Sequence, residues 1–256
     1  MKVATWNVNS IRARKERVLG WLERAQPDVL CLQETKVEDA QFPRDEFRVA
    51  GYEVVLAGQK SYNGVAIAAR RPLTDVVRGL DDGTDDPQAR LIAATIDGVR
   101  ILSAYVPNGQ AVGSEKFSYK LAWLGRMRRY LDSRCDPQQP LVLAGDFNVA
   151  PEAIDVHDPR LWRGQVLFTV EERAALAQLR NFGLVDTYRR HHTEGGRFSW
   201  WDYRQLAFPK NLGVRIDHVF ATPPLAEQSL HAEIDREARK GENPSDHAPV
   251  VAEFAD

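Results

Sequence analysis

The sequence predicts an α/β (α+β) fold, a sandwich of β-sheets with helices packed outside, and three observations lead there. Strand-forming runs recur at residues 3–6, 29–32, 52–57, 64–69, 91–96, 100–106, 141–144, 198–203, 216–221 and 250–254. Many are apolar throughout or alternate, as strands of a two-layer core do. Only three segments carry a helical period, and strands and helices do not alternate strictly, which argues against a single sheet wound by βα units.

The first helical segment places Ile11, Val18, Leu22 and Ala25 on one face, with Arg12, Arg14, Lys15 and Arg17 largely elsewhere, and Pro27 closes it. The second, over residues 114–134, is marked by Phe117, Leu121, Leu124 and Leu131. The third opens at Thr169 with Glu172 in the capping-box position, presents Val170, Ala174, Leu176, Ala177 and residues 179–182, and ends near Gly183. No Pro/Gly/Ser-rich linker or low-complexity tract divides the chain, so residues 1–256 read as one domain. A faint duplication is visible, because each half sets polar residues just after apolar strands.

Composition narrows the function classes. Hydrophobic residues at 43% and charged residues at 27% exclude a disordered or fibrous chain. Thirty-four Lys+Arg against 36 Asp+Glu give a net charge of −2, so a bulk basic signature of nucleic-acid binding is absent. Two cysteines cannot build a disulfide framework, and Cys31 sits inside an apolar run as a small buried hydrophobe. No stretch approaches the ~20 apolar residues of a membrane span, and the N-terminus enters an apolar segment without a signal or transit pattern. The expectation is a cytoplasmic protein with no membrane partner, nucleoid-associated if its source is bacterial.

Chemistry is written where the strands end. Asn7 follows residues 3–6, Glu34 and Lys36 follow residues 29–32, and Asp146 and Asn148 follow residues 141–144. Asp217 and His218 follow Ile216, and Ser245-Asp246-His247 precedes the last strand. Polar side chains at strand ends can converge on one edge of a core, where loops form a cleft. Mg²⁺ needs one or two hard carboxylates plus substrate oxygens, a role open to Glu34 and Asp246. Asp146 could hold a water, Asn7 and Asn148 could donate to a phosphoryl oxygen, and His247 could supply a cationic donor oriented by Asp217. Taken singly each has a plainer reading. Glu34 reads as a surface charge, Asp146 after Gly145 as a turn residue, Asn7 and Asn148 as Asx-turn formers, and Asp246-His247 before Pro249 as a turn.

The ordered set is more specific than its members. Trp6-Asn7-Val8-Asn9, Leu32-Gln33-Glu34-Thr35-Lys36, Gly145-Asp146-Phe147-Asn148 and Ser245-Asp246-His247 together resemble the exonuclease III type of apurinic/apyrimidinic (AP) endonuclease, within the endonuclease/exonuclease/phosphatase superfamily. Tyr105-Val106-Pro107-Asn108, the segment from Phe198 to Arg204, and Arg215-Ile216-Asp217 match as well, so the resemblance covers nearly the whole chain.

The resemblance implies a four-layered sandwich, two mixed β-sheets packed face to face with helices outside. It implies a Mg-dependent phosphodiesterase cleaving 5′ to abasic sites in duplex DNA, with Mn²⁺ as a substitute ion, and 3′-phosphodiesterase and 3′-to-5′ exonuclease activity on blocked 3′ ends. A monomer is expected. Glu34 would be the principal metal ligand, with Asp246 on the metal side and Asp146 and Asn148 also near the ion. Asn9 stands where some relatives place an acidic ligand, which lowers the local carboxylate count. Asp146 matches the water-activating residue, His247 and Asp217 a hydrogen-bonded pair, Asn7 and Asn148 donors near the phosphate, and Tyr105 a tyrosine whose hydroxyl approaches it.

By the same resemblance Arg12, Lys36, Tyr62 and Asn108 match DNA-contacting positions, while Arg14, Lys15 and Arg17 carry no binding assignment. Trp200, Val214 and Ile216 match the wall of an abasic-sugar pocket, where Val214 is smaller than the residue of some relatives; their alternative is ordinary core. Residues 1–36 hold seven Lys/Arg against four Asp/Glu, whereas Asp75, Asp81, Asp82, Asp85 and Asp86 form an acidic cluster expected to be a solvated loop away from DNA. The competing function is a catalytically weak or inactive RNA-binding regulator of the same fold.

Overall fold

Twelve strands form two six-stranded sheets in the computed structural model, which describes residues 1–255. In chain order they are β1 (Lys2–Asn7), β2 (Val29–Gln33), β3 (Glu53–Ala57), β4 (Val65–Ala69), β5 (Thr74–Arg78) and β6 (Leu91–Ile96). They continue with β7 (Val99–Tyr105), β8 (Leu141–Asp146), β9 (Val185–Asp186), β10 (Asp217–Ala221), β11 (Ser229–Ile234) and β12 (Val250–Phe254). One sheet runs β11-β12-β1-β2-β4-β3 and the other β5-β6-β7-β8-β10-β9.

Each sheet is built around one parallel pair with antiparallel neighbours on both sides. The pair is β1 with β2 in the first sheet and β7 with β8 in the second. The neighbours are β12 and β4 in the first, β10 and β6 in the second. The faint sequence duplication is therefore a duplicated sheet plan, in which Asn7 ends β1 and Asp146 ends β8.

The layers follow from which side chains are apolar on which face. Val3, Val29, Cys31 and Ile67 of the first sheet and Ile92, Ile101, Val142 and Val219 of the second share one buried cluster, so the sheets pack face to face. Val18, Trp21 and Leu22 of helix Ile11–Ala25, with Phe47 of helix Arg44–Val49, cover the outside of the first sheet. Helices Glu115–Arg134 and Val170–Arg180 cover the second. The four-layered mixed sandwich is the observed fold.

The capping box forms as its sequence requires. Glu172 N donates to Thr169 Oγ1 at 3.1 Å, and Thr169 N donates to Glu172 Oε2 at 2.9 Å. Removing such a cap costs about 1 kcal/mol.

Four local expectations are corrected. Residues 198–203 are no strand; Trp200 makes only isolated bridges to Val214 and His247, and Trp201 N donates to Asp246 O at 3.0 Å, so the segment staples two loops together. Val170 is 69% exposed while Glu172 is buried, because the cap turns its own glutamate inward. Lys120, not Leu121, lies on the buried stripe of the second long helix. The acidic cluster is not wholly solvated, since Arg126 holds Asp82 and Asp86 at 2.7 Å each and Tyr119 Oη donates to Asp86.

Candidate active site

The two parallel pairs end side by side, and residues at and just beyond those strand ends assemble the site. Asn7 closes β1 and Asp146 closes β8. Tyr105 closes β7, Glu34 comes directly after β2, and Asp217 opens β10. His247 comes from the loop before β12, fixed because Ser245 Oγ donates to Asn7 O at 2.6 Å and accepts from His247 N at 3.2 Å. Trp6 Nε1 donates to His247 O at 3.1 Å from beneath. Gly145 lets β8 approach β7 closely, because a Cβ there would lie 1.9 Å from Ala104 O.

Asn7 is the hub. Its Nδ2 donates to Glu34 Oε1 at 2.8 Å and to Asp146 Oδ2 at 2.9 Å, and its Oδ1 accepts from Asn9 N at 3.0 Å. Both amide protons are thus engaged, so in this structure Asn7 orients the two carboxylates, where the sequence reading made it a phosphate donor. Asn148 also bonds inward: its N donates to Asp146 Oδ1 at 2.9 Å, its Nδ2 to Val106 O at 3.0 Å, and its Oδ1 accepts from Asn108 Nδ2 at 3.0 Å. One Nδ2 proton remains for a ligand. Glu34 and Asn148 both hold left-handed backbone, at φ 51° and 50°; such conformations in non-glycine residues cluster at functional sites.

Two carboxylates beside a charged imidazole could hold a metal ion. Single ligand atoms of Glu34, Asp146 and His247 lie within 4.8 Å of one another. Carboxylate oxygens beside a partly open face suit a hard cation that keeps waters and takes substrate oxygens as further ligands. Lys36 Nζ lies 2.8 Å from Glu34 Oε2 and donates to Asn9 Oδ1 at 2.6 Å, so this lysine faces the Glu34 carboxylate. Asp246 is tied to that side through others: Asn9 Nδ2 donates to Oδ1 and Trp200 Nε1 to Oδ2, each at 3.0 Å.

Burial and charge set the protonation states. Burial pushes the Asp146 carboxyl up to about 7, helped by Asp217 and Glu34 and opposed by His247 and the Asn7 hydrogen bond. Burial works against charge on His247, but the carboxylates of Asp217, Asp146 and Asp246 prevail and hold the imidazole pKa at about 10. His247 Nδ1 donates to Asp217 Oδ2 at 2.8 Å, and Nε2 lies 3.8 Å from Asp146 Oδ2. Burial, Glu34 and Asp146 push the Tyr105 hydroxyl well above its usual range, so it is a neutral donor. The site therefore pairs a charged imidazole with a carboxylate poised near neutrality.

The DNA-contact candidates fall into two groups. Arg12 and Tyr62 are exposed, Tyr62 at 70%, and Arg12 bonds Gln41 at 3.3 Å. Lys36 and Asn108 belong to the site's internal network. Beside Tyr105 an open cleft of about 570 Å³ is lined by Tyr62, Arg90, Asn108, Lys116 and Tyr119. Trp200, Val214 and Ile216 come together in one apolar cluster with Phe168. Val214 and Ile216 are fully buried, so the pocket wall expected of them presents only Trp200 to solvent.

Two sets of residues escaped the sequence reading. Lys120 donates to the backbone carbonyls of Asn108 and Asn148. Arg14 donates to Asn9 O, to Tyr203 Oη and to Pro244 O. A lysine inside an apolar helical stripe was a readable signal for the first; an arginine on a wet helical face gave none for the second.

The chain matches the endonuclease/exonuclease/phosphatase family over residues 4–247. Exodeoxyribonuclease III of Haemophilus influenzae is 35% identical, with 99% of this chain and all of the relative covered. An AP endonuclease from Archaeoglobus fulgidus superposes with a TM-score of 0.97 at 44% identity, and a 3′ phosphatase from Neisseria bound to product DNA hairpin with 0.96 at 42%, both over the full length of each chain. With the fold, the ordered motifs and whole-chain similarity in agreement, this chain belongs to the endonuclease/exonuclease/phosphatase family, among its exonuclease III and AP endonuclease-like hydrolytic nucleases.

Proposed function

We propose that the chain hydrolyses the phosphodiester 5′ to an abasic site in duplex DNA, leaving a 3′-hydroxyl and a 5′-deoxyribose phosphate, and clears blocked 3′ ends by the same attack. The observation that carries this reading is the single Asp146 oxygen, Oδ2, which accepts from Asn7 and lies 3.8 Å from His247 Nε2. A base and a cationic donor that close can address the attacking water and an oxygen of one phosphoryl group from the same side.

Asp146 takes the proton of the attacking water. Charged His247, held by Asp217, donates to a non-bridging oxygen as charge grows there, and the free proton of Asn148 Nδ2 and the Tyr105 hydroxyl add donors. Glu34, fixed by Asn7, would hold Mg²⁺, with Mn²⁺ as a substitute; a cation there supplies Lewis-acid charge to the phosphoryl oxygens. Trp200 would meet the baseless sugar, whose extrusion costs less than that of a paired nucleotide. No covalent intermediate is required.

The test is a duplex oligonucleotide carrying one tetrahydrofuran abasic analogue, incubated with Mg²⁺ or with EDTA. One metal-dependent cut 5′ to the analogue is expected. Equal cutting of intact duplex would refute the assignment, and metal-independent RNA retention without cleavage would favour the regulator reading.

A further inference from the structure

Lys120 has no exposed surface, yet on its helix it stands in the buried row of Phe117, Leu124, Met127 and Leu131. Its ammonium uses its three donors on three different segments. It donates to Glu172, to Asn108 O at 3.0 Å and to Asn148 O at 2.6 Å. The side chains of those two asparagines are themselves joined, Asn108 Nδ2 to Asn148 Oδ1 at 3.0 Å. Lysine, two carbonyls and two amides therefore close a ring between the loop after β7 and the loop after β8.

Glu172 alone would satisfy the charge, and a buried ion pair contributes little stability over an apolar pair of similar volume. The two carbonyls are a different matter. Both turn toward the lysine at the base of the site, and a buried carbonyl must find a donor. A tetrahedral ammonium can serve two carbonyls and a carboxylate together; an apolar side chain can serve none. Gly109 completes the fit. Its φ is 93°, and a Cβ there would sit 3.1 Å from Lys120 Cδ, so the backbone of the loop after β7 lies directly on the lysine stem.

We propose that Lys120 is a positioning residue for the nuclease reaction, holding residues 106–110 and 146–150 at the spacing that sets Asn148 and Asp146 against the substrate phosphate. Lys120 touches no reacting atom. It acts through the backbone of Asn148, whose left-handed conformation is fixed by Asp146 on its N–H and by Lys120 on its carbonyl. The inference rests on the nuclease reading.

The test pairs Lys120→Met with Glu172→Gln, so that no lone charge is left buried and the Thr169 cap keeps an acceptor. With folding checked by circular dichroism, kcat on the abasic duplex falls about 10²-fold while KM stays within about 3-fold, the mark of a displaced catalytic group rather than a lost contact. Wild-type kcat in the folded double variant, or a rise in KM alone, overturns the proposal. If that pair does not fold, Lys120→Gln with Glu172→Gln keeps hydrogen-bonding atoms at both positions and is read the same way. Hydrogen–deuterium exchange in EDTA gives a readout independent of cleavage. In the wild-type chain the amides of Val106, Phe147 and Asn148 in these two loops are expected to exchange slowly, and in the variant they lose protection while the core of β8 keeps it. Fast exchange of both loops in the wild-type chain overturns the proposal; slow exchange in a chain that fails to cut would overturn the nuclease reading instead.

Discussion

His247 Nδ1 donates to one oxygen of Asp217 at 2.8 Å, while the other oxygen, Oδ1, is buried with no hydrogen-bond partner among the described residues. The charges of Asp217, Asp146 and Asp246, with the Asp217 hydrogen bond, outweigh burial and keep His247 protonated up to about 10. Asp217→Asn preserves the shape and a hydrogen-bond acceptor but removes the charge. The expected outcome is a loss in kcat of about 10²-fold, with the alkaline limb of the pH profile moved toward neutrality. A variant whose alkaline limb stays near that of the wild type would show that Asp217 does not hold the charge.

The wild-type pH profile should be bell-shaped, and the signs follow from the two groups. Asp146 must be ionised to take a proton, so activity falls as pH drops through its value near 7. His247 must be charged, so activity falls as pH rises through about 10. A cation beside Glu34 favours the ionised carboxylate, so kcat/KM measured at increasing Mg²⁺ should show the acid limb moving down and the alkaline limb staying in place. Acid limbs that coincide at all Mg²⁺ concentrations would separate Asp146 from the metal.

Asp146 is also costly to the fold. Its folded pKa lies above its unfolded value of 3.8, so as pH rises the unfolded chain loses its proton first, and stability is forfeited from about 4 up to about 7 and stays forfeited above. Asp146→Asn should therefore abolish cleavage yet raise Tm at pH 8 by about 2–4 °C, a gain of about 1 kcal/mol in a chain of this size. The advantage should vanish at pH 4, and differential scanning calorimetry at the two pH values decides it.

These residues were readable because strand ends are conspicuous: an apolar run stops, and Asn7, Glu34 and Asp146 stand at the stops. Their pairing was not. Nothing local to Asn7 says that its amide will bridge two acids, since Glu34 Oε1 and Asp146 Oδ2 arrive from different sheets. The three long helices were legible from their period, the third also from its cap, whereas β5 and β9 are short sheet-edge strands with little apolar pattern, and β11 alternates as a strand should but stands outside the runs the sequence marks. Residues 198–203 misled for the opposite reason. Their aromatic content imitates a strand, but it serves to pack Trp201 and to present Trp200.

Removing the metal should cost activity and stability together. Glu34 sits where a bound cation would relieve its closeness to Asp146, so Mg²⁺ should raise Tm, by an amount equal to about 2.7 kcal/mol at 100 times Kd. EDTA should reverse both effects. Glu34→Gln should need a higher Mg²⁺ concentration for half-maximal activity and lose most of the thermal shift; an unchanged Mg²⁺ titration in that variant would place the ion elsewhere.

Arg12 and Lys36 both match DNA-contacting positions, and the structure gives reason to separate them. Arg12 is exposed and bonds Gln41 at 3.3 Å, so a DNA phosphate can displace that partner at little cost. Arg12→Ala should raise KM, leave kcat unchanged and lower the slope of log K against log salt by about 0.9. Lys36 lies on Glu34 Oε2 and Asn9 Oδ1 at 2.8 and 2.6 Å. Lys36→Ala frees the charge of Glu34 and should change kcat and the Mg²⁺ requirement whatever it does to DNA affinity. Measuring KM, kcat and the salt slope for both variants distinguishes a residue that meets the substrate from one that tunes the acid behind it. Identical behaviour of the two would put Lys36 on the DNA and leave Glu34 without its lysine partner during turnover.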